Sequence, residues 1–101
     1  MKELDSIHHL TIHVSDVARA VRWYSTSFHC DVVLEEPTFA ELRFENLLLR
    51  LCLPSQEPQH IGFERQDAAS FGVLGAGRDG RRSLYLADPT GNVVELIEDS
   101  K

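Results

Sequence analysis

An internal repeat is the feature that most constrains the fold of this chain. Residues 59–67 can be laid over residues 8–16 without a gap. In this alignment His60 falls on His9, so an imidazole recurs at the same place in both copies. Self-similarity of this kind indicates tandem modules that bury their apolar faces together. The chain is therefore expected to be built twice from one plan.

Two modules of unequal length are predicted, over about residues 6–53 and 59–99 of a single domain that covers residues 1–101. Each should contain a strand, a helix and then further strands. The second module is the shorter, because residues 68–80 hold four glycines after a brief helical signal. We expect one or two helical turns there, followed by a loop in which a strand could be lost.

The start of the first module predicts a strand followed by a helix. Residues 7–14 alternate like a half-buried strand, with three polar side chains on one face. Asp16 then offers an N-cap to an amphipathic helix. Apolar side chains recur at helical spacing at Val17, Ala20, Val21, Tyr24 and Phe28. We expect the aromatic residues Trp23, Tyr24 and Phe28 to pack in the core.

The segment 83–97 predicts a β-hairpin. Two apolar runs flank the sequence Asp88-Pro89-Thr90-Gly91, in which proline presets φ and glycine accepts a positive φ. Glu95 then lies on an otherwise apolar face of the second strand, where an unpaired charge is costly. A partner for this carboxylate is therefore expected.

The composition disfavours several classes of function. The formal net charge of -6 and the scattered basic residues argue against nucleic acid as the main partner. No apolar run approaches the roughly 18 residues that span a bilayer, and the start has no apolar leader. We expect a cytoplasmic protein with no membrane partner. Cys30 and Cys52 lack a C-x-x-C spacing and are expected to be reduced, buried thiols.

The repeat also predicts a metal site. Equivalent strands present His9 and His60, and the last strand presents Glu95, so a fold that curls the modules together can gather two imidazoles and one carboxylate. Such a set suits one divalent ion, Fe, Mn, Zn or Ni, with positions open for water or substrate. A cation would also offset the cost of burying Glu95. The alternative is a buried polar cluster without metal.

At these residues the chain resembles the vicinal oxygen chelate superfamily, which includes glyoxalase I, bleomycin-resistance proteins and extradiol dioxygenases. The likeness lies in residues 9–16, Trp23-Tyr24, residues 60–63 and residues 85–96. The resemblance implies an α+β fold in which paired βαβββ modules form a cupped mixed sheet around a metal ion. It also implies metal ligands at His9, His60 and Glu95, and a site usually completed by a homodimer.

Departures from the relatives limit the choice of activity. Arg50 stands where glyoxalase I of the usual kind carries a carboxylate, which disfavours ordinary glyoxalase I activity. An inward Arg50 could instead bind a substrate carboxylate or phosphate, or pair with Glu95 in a metal-free protein. Fosfomycin-resistance enzymes share residues similar to Thr11, Ser83 and Tyr85, but their later basic residue and potassium loop have no obvious counterpart here.

The favoured function is a small metal-dependent enzyme of lyase, isomerase or transferase type, acting on a small oxygen-chelating substrate. We predict His13 as a proton shuttle and Tyr85 as a catalytic group that orients substrate, with packing the alternative for Tyr85. Substrate contacts are predicted from Thr11, Arg50 and Ser83. The alternative function is a metal-free module that sequesters a small aromatic or cationic ligand between two protomers. A dioxygenase is a third hypothesis, weakened by the short chain.

Overall fold

The structure is a computed structural model that describes residues 4–99. The fold is α+β, with one α-helix and eight strands of mixed sheet in this range, and the predicted fold class is confirmed. The elements are β1 (Ser6–His13), α1 (Val17–Ser27), β2 (Asp31–Glu35), β3 (Phe39–Arg43), β4 (Leu48–Cys52), β5 (His60–Arg65), a 3-10 helix (Ala68–Phe71), β6 (Gly75–Ala76), β7 (Arg82–Ala87) and β8 (Val93–Glu98).

The chain divides into two compact units. One runs from His9 to His60, and the other, called the terminal unit here, joins the residues up to His8 with those from Ile61 onward. In the His9–His60 unit the strand order is β2-β3-β4-β1, with β1 and β4 parallel and the other neighbours antiparallel. In the terminal unit the order is β5-β8-β7-β6, and β7 pairs antiparallel with both β6 and β8.

Helix α1 covers one face of the sheet in the His9–His60 unit. The Asp16 side chain caps it as predicted, by accepting the backbone N–H of Arg19 at 3.1 Å. The core between helix and sheet consists of Val17, Val21, Ala40, Leu42 and Leu51. Because side chains alternate along a strand, the opposite face carries the intervening residues, among them His9, Thr11 and Arg50.

The aromatic side chains at the end of α1 are more exposed than predicted. Trp23 is 57% exposed and Phe28 is 49% exposed, whereas Tyr24 is half-buried. The rings of Trp23 and Tyr24 contact each other edge to face, with centroids 4.9 Å apart. Trp23 lies outside the helical spacing of the core positions Val17, Val21 and Tyr24, and for Phe28 the spacing does not show what covers that face. The prediction that Trp23 and Phe28 lie in the core is therefore wrong.

The second module is shortened, as predicted. Its helix is a 3-10 turn of 4 residues where α1 has 11, and β6 has 2 residues where β2 has 5. The predicted helical turn is present, and a strand remains in the glycine-rich segment. Gly72 follows the turn with φ 156°, and a Cβ there would lie 2.9 Å from Cδ1 of Leu84. The close approach of the chain to Leu84 therefore favours glycine.

Strands β7 and β8 form the predicted hairpin. The N–H of Asp88 donates to the carbonyl of Asn92 at 2.8 Å, and Gly91 has φ 94°. The Asp88 carboxylate also accepts hydrogen bonds from the side chain of Asn92 and from the backbone N–H groups of Asn92 and Thr90. These bonds, the Asn92 side chain first, lower the pKa of Asp88 to about 2.

Two expectations from composition can also be compared with the structure. Within residues 4–99, Cys30 and Cys52 are both thiols outside any disulfide; Cys52 is buried as expected, whereas Cys30 is half-buried. No helix in the same range is long and apolar enough to cross a membrane.

Candidate metal centre

Two buried histidines meet on the polar face of the His9–His60 unit. His9 is 0% exposed and His60 is 5% exposed. Their Nε2 atoms lie 3.0 Å apart, and the two rings are perpendicular with centroids separated by 5.0 Å. The structure therefore brings together the two imidazoles that the repeat aligns, although they are 51 positions apart in the chain.

A backbone contact determines which nitrogen of His60 carries the proton. Nδ1 lies 2.7 Å from the carbonyl oxygen of Pro58, and because a carbonyl only accepts, Nδ1 must be the donor. The Nε2 atom of the neutral ring then presents its lone pair toward His9 and toward the Thr11 hydroxyl, which is 3.3 Å away. This is the tautomer in which a histidine binds a metal ion through Nε2.

The spacing of the two Nε2 atoms fits a shared cation. Two bare lone pairs 3.0 Å apart repel each other, so the contact requires a proton or a metal ion. Ligand nitrogens roughly 2.1 Å from one ion and at right angles to each other are about 3.0 Å apart. His9, His60 and Glu95 are all buried and each offers one ligand atom. Two imidazoles and one carboxylate are donors that first-row divalent metals accept.

A buried ion pair lies beside His9. Nε of Arg50 donates to Oε1 of Glu41 at 2.8 Å, and the two side chains are 7% and 16% exposed. NH1 of the same guanidinium is 3.3 Å from Nε2 of His9. The sequence predicted an inward Arg50 but missed Glu41. The signal for Glu41 is its position opposite Arg50 in the pairing of β3 with β4, which cannot be read without the strand register.

Glu95 lies in the terminal unit, on β8, and is 7% exposed. The hydroxyl of Ser83, on the neighbouring strand β7, donates to Oε2 of Glu95 at 2.7 Å. Tyr85 is the cross-strand partner of Glu95 and is 47% exposed. In this structure Ser83 thus orients the carboxylate that was predicted to be a ligand.

His13 lies farther along β1 and is half-buried. Its Nε2 lies 2.6 Å from the carbonyl oxygen of Glu57 and therefore donates to it. In the neutral ring Nδ1 is then the nitrogen with the lone pair. A role for His13 in proton transfer would use Nδ1.

The segment between the two modules supplies a second acidic side chain that the sequence interpretation missed. Residues 54–58 read as a polar connector, yet the Glu57 side chain is only 13% exposed and its Oε1 lies 4.0 Å from Nε2 of His60. The short spacing of Glu57 and His60 along the chain was the available signal. Glu57 therefore places negative charge on the His60 side of the histidine pair.

Comparison with models of known protein families finds no match, and neither does comparison with curated proteins. Solved structures are similar in fold. A hypothetical protein from Bacillus halodurans aligns with a TM-score of 0.73 at 15% identity, over 98% of this chain and 97% of that chain. A glyoxalase/bleomycin resistance protein/dioxygenase superfamily member from Vibrio splendidus aligns with a TM-score of 0.69 at 12% identity, over 95% and 100% of the two chains. The fold is that of the vicinal oxygen chelate superfamily.

A third structure with the vicinal oxygen chelate fold is a lactoylglutathione lyase from Agrobacterium tumefaciens. It aligns with a TM-score of 0.50 at 19% identity, over 95% of each chain. Proteins with one fold carry many activities, so likeness at these identities speaks for the fold. The chemistry of the site depends on its own side chains.

Proposed function

We propose that this protein is a metal-dependent enzyme in which His9, His60 and Glu95 hold one divalent ion, Fe, Mn, Zn or Ni. The observation that carries the proposal is the 3.0 Å approach of the two Nε2 atoms. The bond from Nδ1 of His60 to Pro58 supports it, because this bond leaves Nε2 as the ligand atom. Glu95 supports it as a buried carboxylate oriented by a serine hydroxyl.

The proposed substrate is a small molecule that chelates through two oxygens, and the reaction is of lyase, isomerase or transferase type. The ion would supply Lewis acidity toward these oxygens. Thr11 and Arg50 lie beside the histidines and would bind the substrate. His13 would move a proton through Nδ1, and Tyr85 would orient the substrate with its hydroxyl.

A metal-free module that binds a small molecule is the second candidate. The observation that favours it is the position of Arg50, whose NH1 lies 3.3 Å from Nε2 of His9. A guanidinium there places positive charge beside the atom that a metal ion would bind, and like charges repel. The two candidates differ in whether the purified protein holds an ion.

Metal content tests the choice between them. The protein would be purified without chelator, reconstituted with each of the four metals in turn, and measured by elemental analysis. We expect one ion per chain in the wild type, and loss of the ion in His60→Ala because a ligand is removed. His29→Ala removes an exposed imidazole and should keep the ion. A wild-type protein without stoichiometric metal would overturn the enzyme and support the binding module.

We also propose that the protein works as a homodimer. The support is the short second module, in which a 3-10 turn of 4 residues and a strand of 2 residues offer little structure to enclose a substrate. Light scattering at micromolar concentration should give the mass of two chains. A strict monomer would contradict a site completed by a second copy.

A further inference from the structure

We infer that Arg50, positioned by Glu41, is an anion-binding subsite, and that the substrate carries a carboxylate or a similar anionic oxygen group beside its metal-binding oxygen. The inference rests on the proposed function, because it names the substrate class of the same site. It depends on three observations: the burial of Arg50, the direction of its guanidinium and the charges around the histidine pair.

The guanidinium of Arg50 is buried and held in one orientation. Its side chain is 7% exposed. Its Nε donates to Glu41, which lies on the neighbouring strand, over a distance of 2.8 Å. By contrast, Arg43 on β3 is 61% exposed and lies 3.8 Å from its partner Asp31 on β2. Burying a cation costs free energy of desolvation unless an opposite charge pairs with it. Arg50 is therefore built into this face, whereas Arg43 is a surface residue.

The direction of the guanidinium brings its charge to the proposed ion. NH1 lies 3.3 Å from Nε2 of His9, the atom that would bind the metal. A divalent ion and a guanidinium that share one neighbouring nitrogen repel each other. An anionic oxygen placed beside both is attracted to both, and the attraction is strong where water is excluded, as it is around the fully buried His9. The arrangement therefore favours an anionic chelator over a neutral one.

The surrounding carboxylates indicate where the anion would bind. Glu41 accepts from Nε of Arg50, whereas NH1 is the nitrogen near His9, so Glu41 orients the guanidinium and acts as a positioning residue. Glu57 lies 4.0 Å from Nε2 of His60 and repels an anion on that side. The anionic group of the substrate is therefore expected on the Arg50 side of the histidine pair.

The test is isothermal titration of the manganese-loaded full chain with three small probes. Glycolate carries a hydroxyl beside a carboxylate, and hydroxymethylphosphonate carries the same hydroxyl beside a phosphonate. Glycolamide has the two vicinal oxygens of glycolate without its charge. We expect one of the two anions to bind at least about tenfold more tightly than glycolamide. The tighter anion then identifies the group that the subsite accepts.

The matched variant is Glu41→Gln with Arg50→Gln, because removing both charges leaves neither buried and unpaired. The better anion should lose about tenfold in affinity in this double variant, and glycolamide should change by less than about threefold. An unchanged anion affinity, an equal loss for glycolamide, or a wild type without preference for anions would overturn the inference.

Two further measurements keep the inference falsifiable. Elemental analysis of each titrated sample shows whether the ion is present. A wild-type sample without the ion overturns the proposed metal-dependent function and not the inference about Arg50. In that case the same titrations are made on the metal-free protein, and they show whether Arg50 still gives the site a preference for anions. If the double variant does not fold by circular dichroism, Arg50→Lys replaces it. This variant keeps a cation without the bond from Nε to Glu41, so the better anion should bind more weakly than to the wild type. Unchanged binding overturns the positioning by Glu41.

Discussion

Glu41 and Arg50 face each other across β3 and β4 and form a buried ion pair of 2.8 Å in which Nε is the donor. The pair fixes the other end of the guanidinium near His9. We therefore expect the pair to contribute to two properties that can be measured separately, the stability of the chain and the proposed preference of the site for an anion.

Glu41→Ala should lower the free energy of unfolding by about 3 kcal/mol, because it takes from the buried Arg50 cation its neighbouring carboxylate. Urea unfolding followed by circular dichroism measures the change. The control is Asp31→Ala, which breaks the exposed pair with Arg43 between the adjacent strands β2 and β3 and should cost less than about 1 kcal/mol. Equal losses in the two variants would contradict the prediction.

Ser83→Ala should weaken metal binding by about 10- to 100-fold without loss of the fold, because the hydroxyl orients Glu95 through a bond of 2.7 Å. Competition with a chelator of known affinity measures the change. Ser25→Ala is the matched control, since that hydroxyl bonds only along α1, to the carbonyl of Arg22, among its described contacts. A metal affinity that is the same in wild type and Ser83→Ala would refute the role given to Ser83.

Asp88 should make the protein lose stability in acid. Its folded pKa is about 2 and its unfolded pKa is near the ordinary aspartate value of 3.8, so the folded state favours the ionised form. This contribution is complete above about pH 5 and is lost as the pH falls toward 2. Urea unfolding of wild type and Asp88→Asn at several pH values measures it, and the difference between them should shrink in acid. A difference that does not depend on pH would contradict the prediction.

Trp23 is the only tryptophan of the chain and is 57% exposed. Its fluorescence should therefore be quenched by acrylamide nearly as strongly in the native protein as in urea. Quenching is measured over a range of protein concentrations. Strong protection at every concentration would contradict the exposed position of Trp23, whereas protection that is lost on dilution would place this residue in an interface between copies.

The parts of the fold that depend on short-range signals could be predicted from the sequence. Asp16 begins α1 because its side chain can cap the first turn, and this requires only the neighbouring residues. The hairpin turn from Asp88 to Asn92 depends on the conformational preferences of proline and glycine in five residues. The pairing of His9 with His60 is long-range, but the repeat made it visible, because equivalent residues occupy equivalent strands.

The features of the fold and the site that the sequence did not predict depend on information that hydrophobic alternation and composition do not contain. Glu41 becomes the partner of Arg50 only through the register of β3 on β4. Glu57 approaches His60 through the path of a connector that carries no periodic pattern. Phe28 has the spacing of a core residue and is nevertheless 49% exposed, because spacing does not show what covers a face. Register, loop path and cover are all tertiary properties.

The bond between Nδ1 of His60 and the carbonyl of Pro58 has a consequence for the order of folding. It spans two residues, so forming it closes almost no chain and costs little entropy. The contact of His60 with His9 spans 51 positions and requires the strands to assemble first. The ring of His60, a proposed ligand, can thus be oriented before the strands assemble. An ion bound early by His60 would then favour the approach of His9, 51 positions away, since the binding free energy of the ion contributes to folding.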